Sequence, residues 1–199
     1  MAVIHRTTLV PSKLDLLTAW LPLQAWYAGE PAGPSLAKVG GFRLDDPEGE
    51  VGIEFMVVRD DADHKQSAYL VPMTYRGSPL AGADPHVIGT SEHGVLGPRW
   101  IYDGTHDPVL LEQLADLIQG RVGAQAQSQS DASDATVYAT PVAAAPGQRL
   151  SVSFARRLSP VADVAALPGI GEVTGLWTAS DGALVRSLFA TAHLPQTRT

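Results

Sequence analysis

The sequence predicts an α+β protein with much sheet and many loops. Three observations predict it. Residues 49–60, "GEVGIEFMVVRD", alternate Val51, Ile53, Phe55 and Val57 on one side with Glu50, Gly52, Glu54 and Met56 on the other. That is the period of a strand with one buried side. Residues 106–120, "HDPVLLEQLADLIQG", carry the marks of a helix: Asp107 as N-cap, Pro108 in the first turn, and Leu110, Leu111, Leu114, Leu117 and Ile118 at helical spacing before Gly120. The chain also holds 19 glycines and 15 prolines among 199 residues, a density of turn formers that short strands and frequent loops require.

In chain order, residues 2–9 read as a short strand. Residues 11–21, "PSKLDLLTAWL", turn helical. Ser12 and Asp15 have the spacing of a capping box, Leu14, Leu17 and Leu21 share a face with Trp20 beside them, and Pro22 stops the helix. The stretch "WYAGEPAGPSLAKVGG" (26–41) reads as turns leading into sheet. The strand at 49–60 and a second one at 67–77, "SAYLVPMTYRG", make a hairpin across a polar turn. Pro72 cannot donate to a ladder, so it predicts an edge position or a bulge. Residues 89–104 give two short strands around glycines, and the 107–120 helix follows.

Composition then shifts. Residues 123–135, "GAQAQSQSDASDA", are small and polar, and read as a linker or surface loop. Beyond it, 136–142, 148–158, 171–179 and 183–192 are β-like. "SDG" at 180–182 joins the last two as a hairpin, and the final "PQTRT" is expected to fray. The expected organisation is a domain at 1–122, a linker at 123–135 and a β-rich segment at 136–199. That segment either stands apart or completes the first domain.

Composition also bounds function. A net charge of -7 without any basic block speaks against nucleic acid and anionic membranes as partners. With no cysteine, disulfides and thiol catalysis are excluded. No apolar run suits a signal peptide or a membrane span, which predicts a cytoplasmic protein.

No P-loop or dinucleotide fingerprint is present; "LPGIG" at 167–171 lacks the lysine and the helix that phosphate binding needs. His64, His86, His93 and His106 show no paired spacing on a helix, so neither a metal nor another cofactor is expected. A polar cluster of Glu92, His93, Asp103 and His106 could form if the strands of 89–104 pair. Asp45, Asp46, Glu48, Glu50 and Glu54 read as a solvated turn followed by the exposed face of an amphipathic strand. Ser91 lies close to His93 but lacks the nucleophile elbow and a third orienting group.

Three stretches, "WLPLQAWYAG", "AYLVPMTYRG" and "YDGTHDPVLLEQLADLI", together resemble the N-terminal cap domain of actinobacterial maltokinases. The matching positions are Trp20, Leu21, Pro22, Trp26, Tyr27 and Gly29, then Val71 and Pro72, then Tyr102, Asp103, Gly104, Asp107 and Pro108. The resemblance covers about residues 1–120 and extends to short stand-alone relatives. It implies a curved, cystatin-like antiparallel sheet with a helix packed across it, followed here by a small β-rich part. The kinase's His-Gly-Asp loop has no counterpart, because His93-Gly94 is followed by Val95. No kinase catalytic residue carries over.

The resemblance implies a non-catalytic accessory protein that binds an enzyme of trehalose, maltose or glycogen metabolism. Trp20 is expected in the core, and Trp26 with Tyr27 on an exposed aromatic surface. A second reading is a sugar- or nucleotide-binding protein whose concave face is lined by Trp26, Tyr27, Tyr75 and Trp100. A third is an enzyme using Glu50, Glu54, His93 or Asp103. A homodimer through exposed strand edges is a further expectation.

Overall fold

The computed structural model describes residues 9–127, 132–142, 149–161 and 170–195. Most of the strand expected at 2–9, the first part of "LPGIG" and the last four residues lie outside these. Eleven strands pair antiparallel: β1 (Leu9–Val10), β2 (Leu36–Leu44), β3 (Gly52–Asp60), β4 (Ala68–Arg76), β5 (Val87–His93), β6 (Gly97–Asp103), β7 (Tyr138–Thr140), β8 (Ser151–Phe154), β9 (Arg157–Leu158), β10 (Ile170–Thr178) and β11 (Leu184–His193). The hydrogen-bonded path is open and runs β1-β5-β6-β4-β3-β2-β10-β11-β8, with β7 on β10 and β9 on β4.

Both helices form where local signals place them. In α1 (Lys13–Trp20), the Ser12 hydroxyl accepts from the Asp15 N–H and the Asp15 carboxylate accepts from the Ser12 N–H, a complete capping box. Pro22 then sits inside a short 3-10 turn, Leu21–Leu23. In α2 (Pro108–Ile118), Asp107 caps Val109 and Gly120 takes φ +70° just past the end. The hairpins β3–β4, β5–β6 and β10–β11 also form. Gly182 takes φ +84° in the last turn, as "SDG" requires.

Three features differ from the sequence reading. β2 was hidden because Gly40 and Gly41 look like breakers. They are needed: a Cβ on Gly40 would stand 2.8 Å from the Cβ of Trp177, at the register pair that joins β2 to β10. Glycine in a strand here marks close backbone approach.

β3 is buried on both sides, not one. Ile53, Phe55 and Val57 face a core with Phe42, Phe189 and the α2 residues Leu110, Leu114 and Leu117. Met56 and Val58 face another core with Leu17, Trp20 and Leu21 of the first helical segment. Glu54, expected in water, is therefore buried.

Pro72 is also not on an edge strand. β4 lies between β3 on one side and both β6 and β9 on the other. β6 pairs residues 73–76 and β9 pairs residues 68–69, while the Leu70 N–H donates to the Arg156 carbonyl. Residue 72 points its nitrogen to the same side as residue 70, into the gap between these neighbours, where a missing N–H costs nothing.

Just past residue 122 the chain returns to the sheet. Ala124 is buried, and Gln125 exchanges backbone hydrogen bonds with Arg43.

Candidate functional site

The most concentrated polar chemistry surrounds Glu54. Its side chain is only 4% exposed, and four groups donate to it. Lys13 Nζ, at the start of α1, lies 2.5 Å from Oε2; Lys38 Nζ, on β2, lies 3.2 Å from Oε1. The Tyr75 hydroxyl donates to Oε2 at 2.7 Å, and Gln127 Nε2 donates to Oε1 at 3.1 Å. Four separated segments converge on this carboxylate.

The sheet explains the convergence. Arg43, Glu54 and Met73 are direct cross-strand partners and share one face. Gly41, two residues before Arg43, leaves room for the Gln127 amide, which would lie 2.7 Å from a Cβ there.

Burial by itself would raise the Glu54 pKa. The charges of Lys13 and Lys38 and the hydrogen bonds from Lys13 and Tyr75 outweigh it and bring it down to about 2. Tyr75 is pushed well above its ordinary value, first by burial and then by the adjacent Glu54 charge. The pair holds a carboxylate ionised and a phenol protonated. Neither is poised to exchange a proton near neutral pH.

Asp103 extends the same row across the sheet, opposite Met73 on β6. At ~4.8 Å between strands it stands about 10 Å from Glu54. It is buried, ion-paired with Arg156, and accepts from Thr105. Arg156 also lies over the Trp26 ring, 5.0 Å from its centroid. One arginine thus clamps two of the residues that carry the motif resemblance.

The aromatic candidates do not form one platform. Trp26 is half-buried, edge-on to Trp20 at 5.8 Å and tilted against Tyr69 at 6.0 Å. The Tyr27 hydroxyl donates to Asp60 at 2.8 Å, and burial followed by that carboxylate raises its pKa. Tyr75 belongs to the Glu54 cluster. Trp100 lies on β6, opposite Arg76 and Thr90. Trp20 is buried, with 8% exposure.

The polar cluster at 92–106 is divided. Glu92 and His93 stand at the β5–β6 turn, paired with Pro98 and Gly97, and His93 Nδ1 accepts from the N–H groups of Val95 and Leu96. Asp103 lies at the other end of β6 and His106 just past it, on the order of 20 Å away for a seven-residue strand. Glu50 is exposed, unlike Glu54. Among the described residues, no three His, Cys, Asp or Glu side chains are grouped to hold a metal ion, and no helix is long and apolar enough to cross a membrane.

His106 instead stacks on His86, ring centroids 3.5 Å apart and nearly parallel. Partial burial, then the His86 and Arg156 charges, lower the His106 pKa from 6.5, against the pull of Asp103. A histidine with a depressed folded pKa gives stability that is present above its unfolded value and lost as pH falls below it. Thermal unfolding between pH 8 and 5 should therefore show a decline below about pH 6.5 that is smaller in His106→Gln.

Lys13, Lys38, Arg43, Gln127 and Arg156 were not singled out by sequence reasoning. No local motif marks them; each gains its role from a partner distant in the chain.

Residues 20–107 match the family of the maltokinase N-terminal cap domain. The resemblance carried by Trp20, Pro22, Trp26, Asp103 and Asp107 is thus shown over that stretch. No curated protein matches the chain.

Proposed function

We propose that this maltokinase-cap-like chain is a non-catalytic interaction module, built on the cystatin-like cap arrangement. Its partner is an enzyme of trehalose, maltose or glycogen metabolism. One observation carries the docking role: among the described residues, three of the six large apolar side chains left in water lie at one end of the β5–β6 hairpin. Val95 and Leu96, in the β5–β6 turn, are 63% and 46% exposed, and Val10, on the adjoining β1, is 65% exposed. Val10 pairs with Glu92 and Leu9 with His93, which places Val10 near the turn that carries Val95 and Leu96. Clustered exposed apolar groups mark interaction sites more often than isolated ones do. The carboxylates considered for acid–base chemistry support the same reading, since Glu54 and Asp103 are each committed to cations.

The link to glucan metabolism rests on the cap match over residues 20–107. The test is affinity purification of the tagged protein from its native extract, read by mass spectrometry. Wild type should recover an enzyme of this metabolism specifically, and a Val95→Ser/Leu96→Ser variant should lose it at unchanged thermal stability. Recovery of the chain alone, or equal recovery by the variant, counts against the proposal.

A further inference from the structure

The Glu54 cluster holds more positive charge than its carboxylate neutralises. Lys13 and Lys38 share that one carboxylate, and Arg43 stands directly opposite Glu54 on the same face. Arg43 has no carboxylate partner among the described residues, yet it is near enough for its charge to act on the Tyr75 hydroxyl. Three cations against one anion leave a surplus of two positive charges, in a chain whose net charge is -7.

The geometry sets where this surplus can act. Glu54 is sealed in, but the Lys13 and Lys38 side chains are 31% and 39% exposed. Each ammonium carries three donors, and its hydrogen bond to Glu54 uses one of them. The carboxylate anchors both lysines, Lys13 also lies 4.8 Å from the Tyr75 ring centroid, and both side chains stay partly open to water. Tyr75 and Gln127 hold Glu54 from its other sides, so the lysine heads are positioned in advance. A structural ion pair needs one cation. Replacing a buried pair by apolar groups is often neutral for stability, so a cluster of three cations is poorly explained by folding alone.

From this we propose that Lys13, Lys38 and Arg43 form a binding site for a phosphate dianion, with Glu54 as the buried anchor that aims the lysines. The dianion's charge equals the surplus, and its oxygens match the unused lysine and guanidinium donors. Free phosphate and the phosphate of a monoester share this chemistry.

The test titrates the full chain at low ionic strength with inorganic phosphate and, in a second arm, with glycerol 3-phosphate. Calorimetry reads the affinity, and backbone amide NMR of the wild type reads the location. Saturable binding is expected, with shifts centred on residues 38–43 and 54. Lys38→Met and Lys13→Met should each weaken binding at least tenfold, about the effect of losing one charge-assisted contact. Lys65→Met, on the remote exposed 61–67 loop, should change it less than about twofold. Tighter binding of glycerol 3-phosphate would assign the site to monoesters, and tighter inorganic phosphate to the free anion. Absence of saturation at about 10 mM, shifts centred elsewhere, or equal weakening by Lys65→Met would each overturn the site.

Discussion

Asp107→Ala is expected to lower folding stability by about 3–5 kcal/mol, the range for removing one partner of a buried, hydrogen-bonded ion pair. Asp107 is 1% exposed and performs three tasks. It accepts two hydrogen bonds of 2.7 Å from the Arg76 guanidinium, one from the Thr74 hydroxyl at 2.8 Å, and one from the Val109 N–H as the cap of α2. Alanine would leave Arg76 and Thr74 unpaired and α2 uncapped, and the cap alone is worth about 1 kcal/mol. Burial acting alone would raise the Asp107 pKa, but the bonds from Arg76 and Thr74 bring it below its ordinary 3.8. A depressed carboxylate contributes stability that is present above the unfolded value and lost as pH falls through the folded one. Urea unfolding of both proteins at pH 7 should show the full difference. Below about pH 4 the difference should shrink, because the wild type gives up its advantage there.

Gly41→Ala is expected to cost at least about 3 kcal/mol, more than an ordinary strand glycine substitution. Gly41 sits at φ +119°, a region that L side chains rarely adopt. An added Cβ would also fall 1.9 Å from the Phe55 carbonyl oxygen and 2.7 Å from Gln127 Nε2. Backbone on the partner strand cannot yield as a flexible side chain can. Relief would part β2 from β3 and displace Gln127 from Glu54. A lowered denaturation midpoint, together with loss of the Gln127 side-chain amide's protected NMR signal, would report both effects. A change below 1 kcal/mol would show that β2 can shift freely there.

The cap match and the two helices were legible because their signals are local. Ser12 with Asp15, and Asp107 with Pro108, act within a single helical turn. Trp20, Pro22 and Trp26, with Asp103 and Asp107, keep fixed short spacings. The hairpins were legible for the same reason: alternation and a turn glycine both act over a few residues. β2 was not, since a glycine pair that would break an isolated strand is what lets Trp177 and the Phe55 carbonyl approach. Trp26 read as an exposed surface because nothing near it in sequence announces that Arg156, 130 positions later, covers its ring.

Glu54 shows the division most clearly. By itself the sequence determined that a strand runs within residues 49–60, observed as Gly52–Asp60, and that Glu54 lies on the side opposite Ile53 and Phe55. Tertiary structure alone decided that this second side also faces a core. A period of two fixes which residues share a face, but whether that face meets water depends on what the rest of the chain lays over it. Here α1 delivers Lys13, β2 delivers Lys38, β4 delivers Tyr75 and the loop after α2 delivers Gln127. These contacts span from 16 to 73 positions of sequence. Only the folded sheet brings them within hydrogen-bonding distance of one carboxylate and turns an ordinary surface glutamate into a buried, ionised anchor.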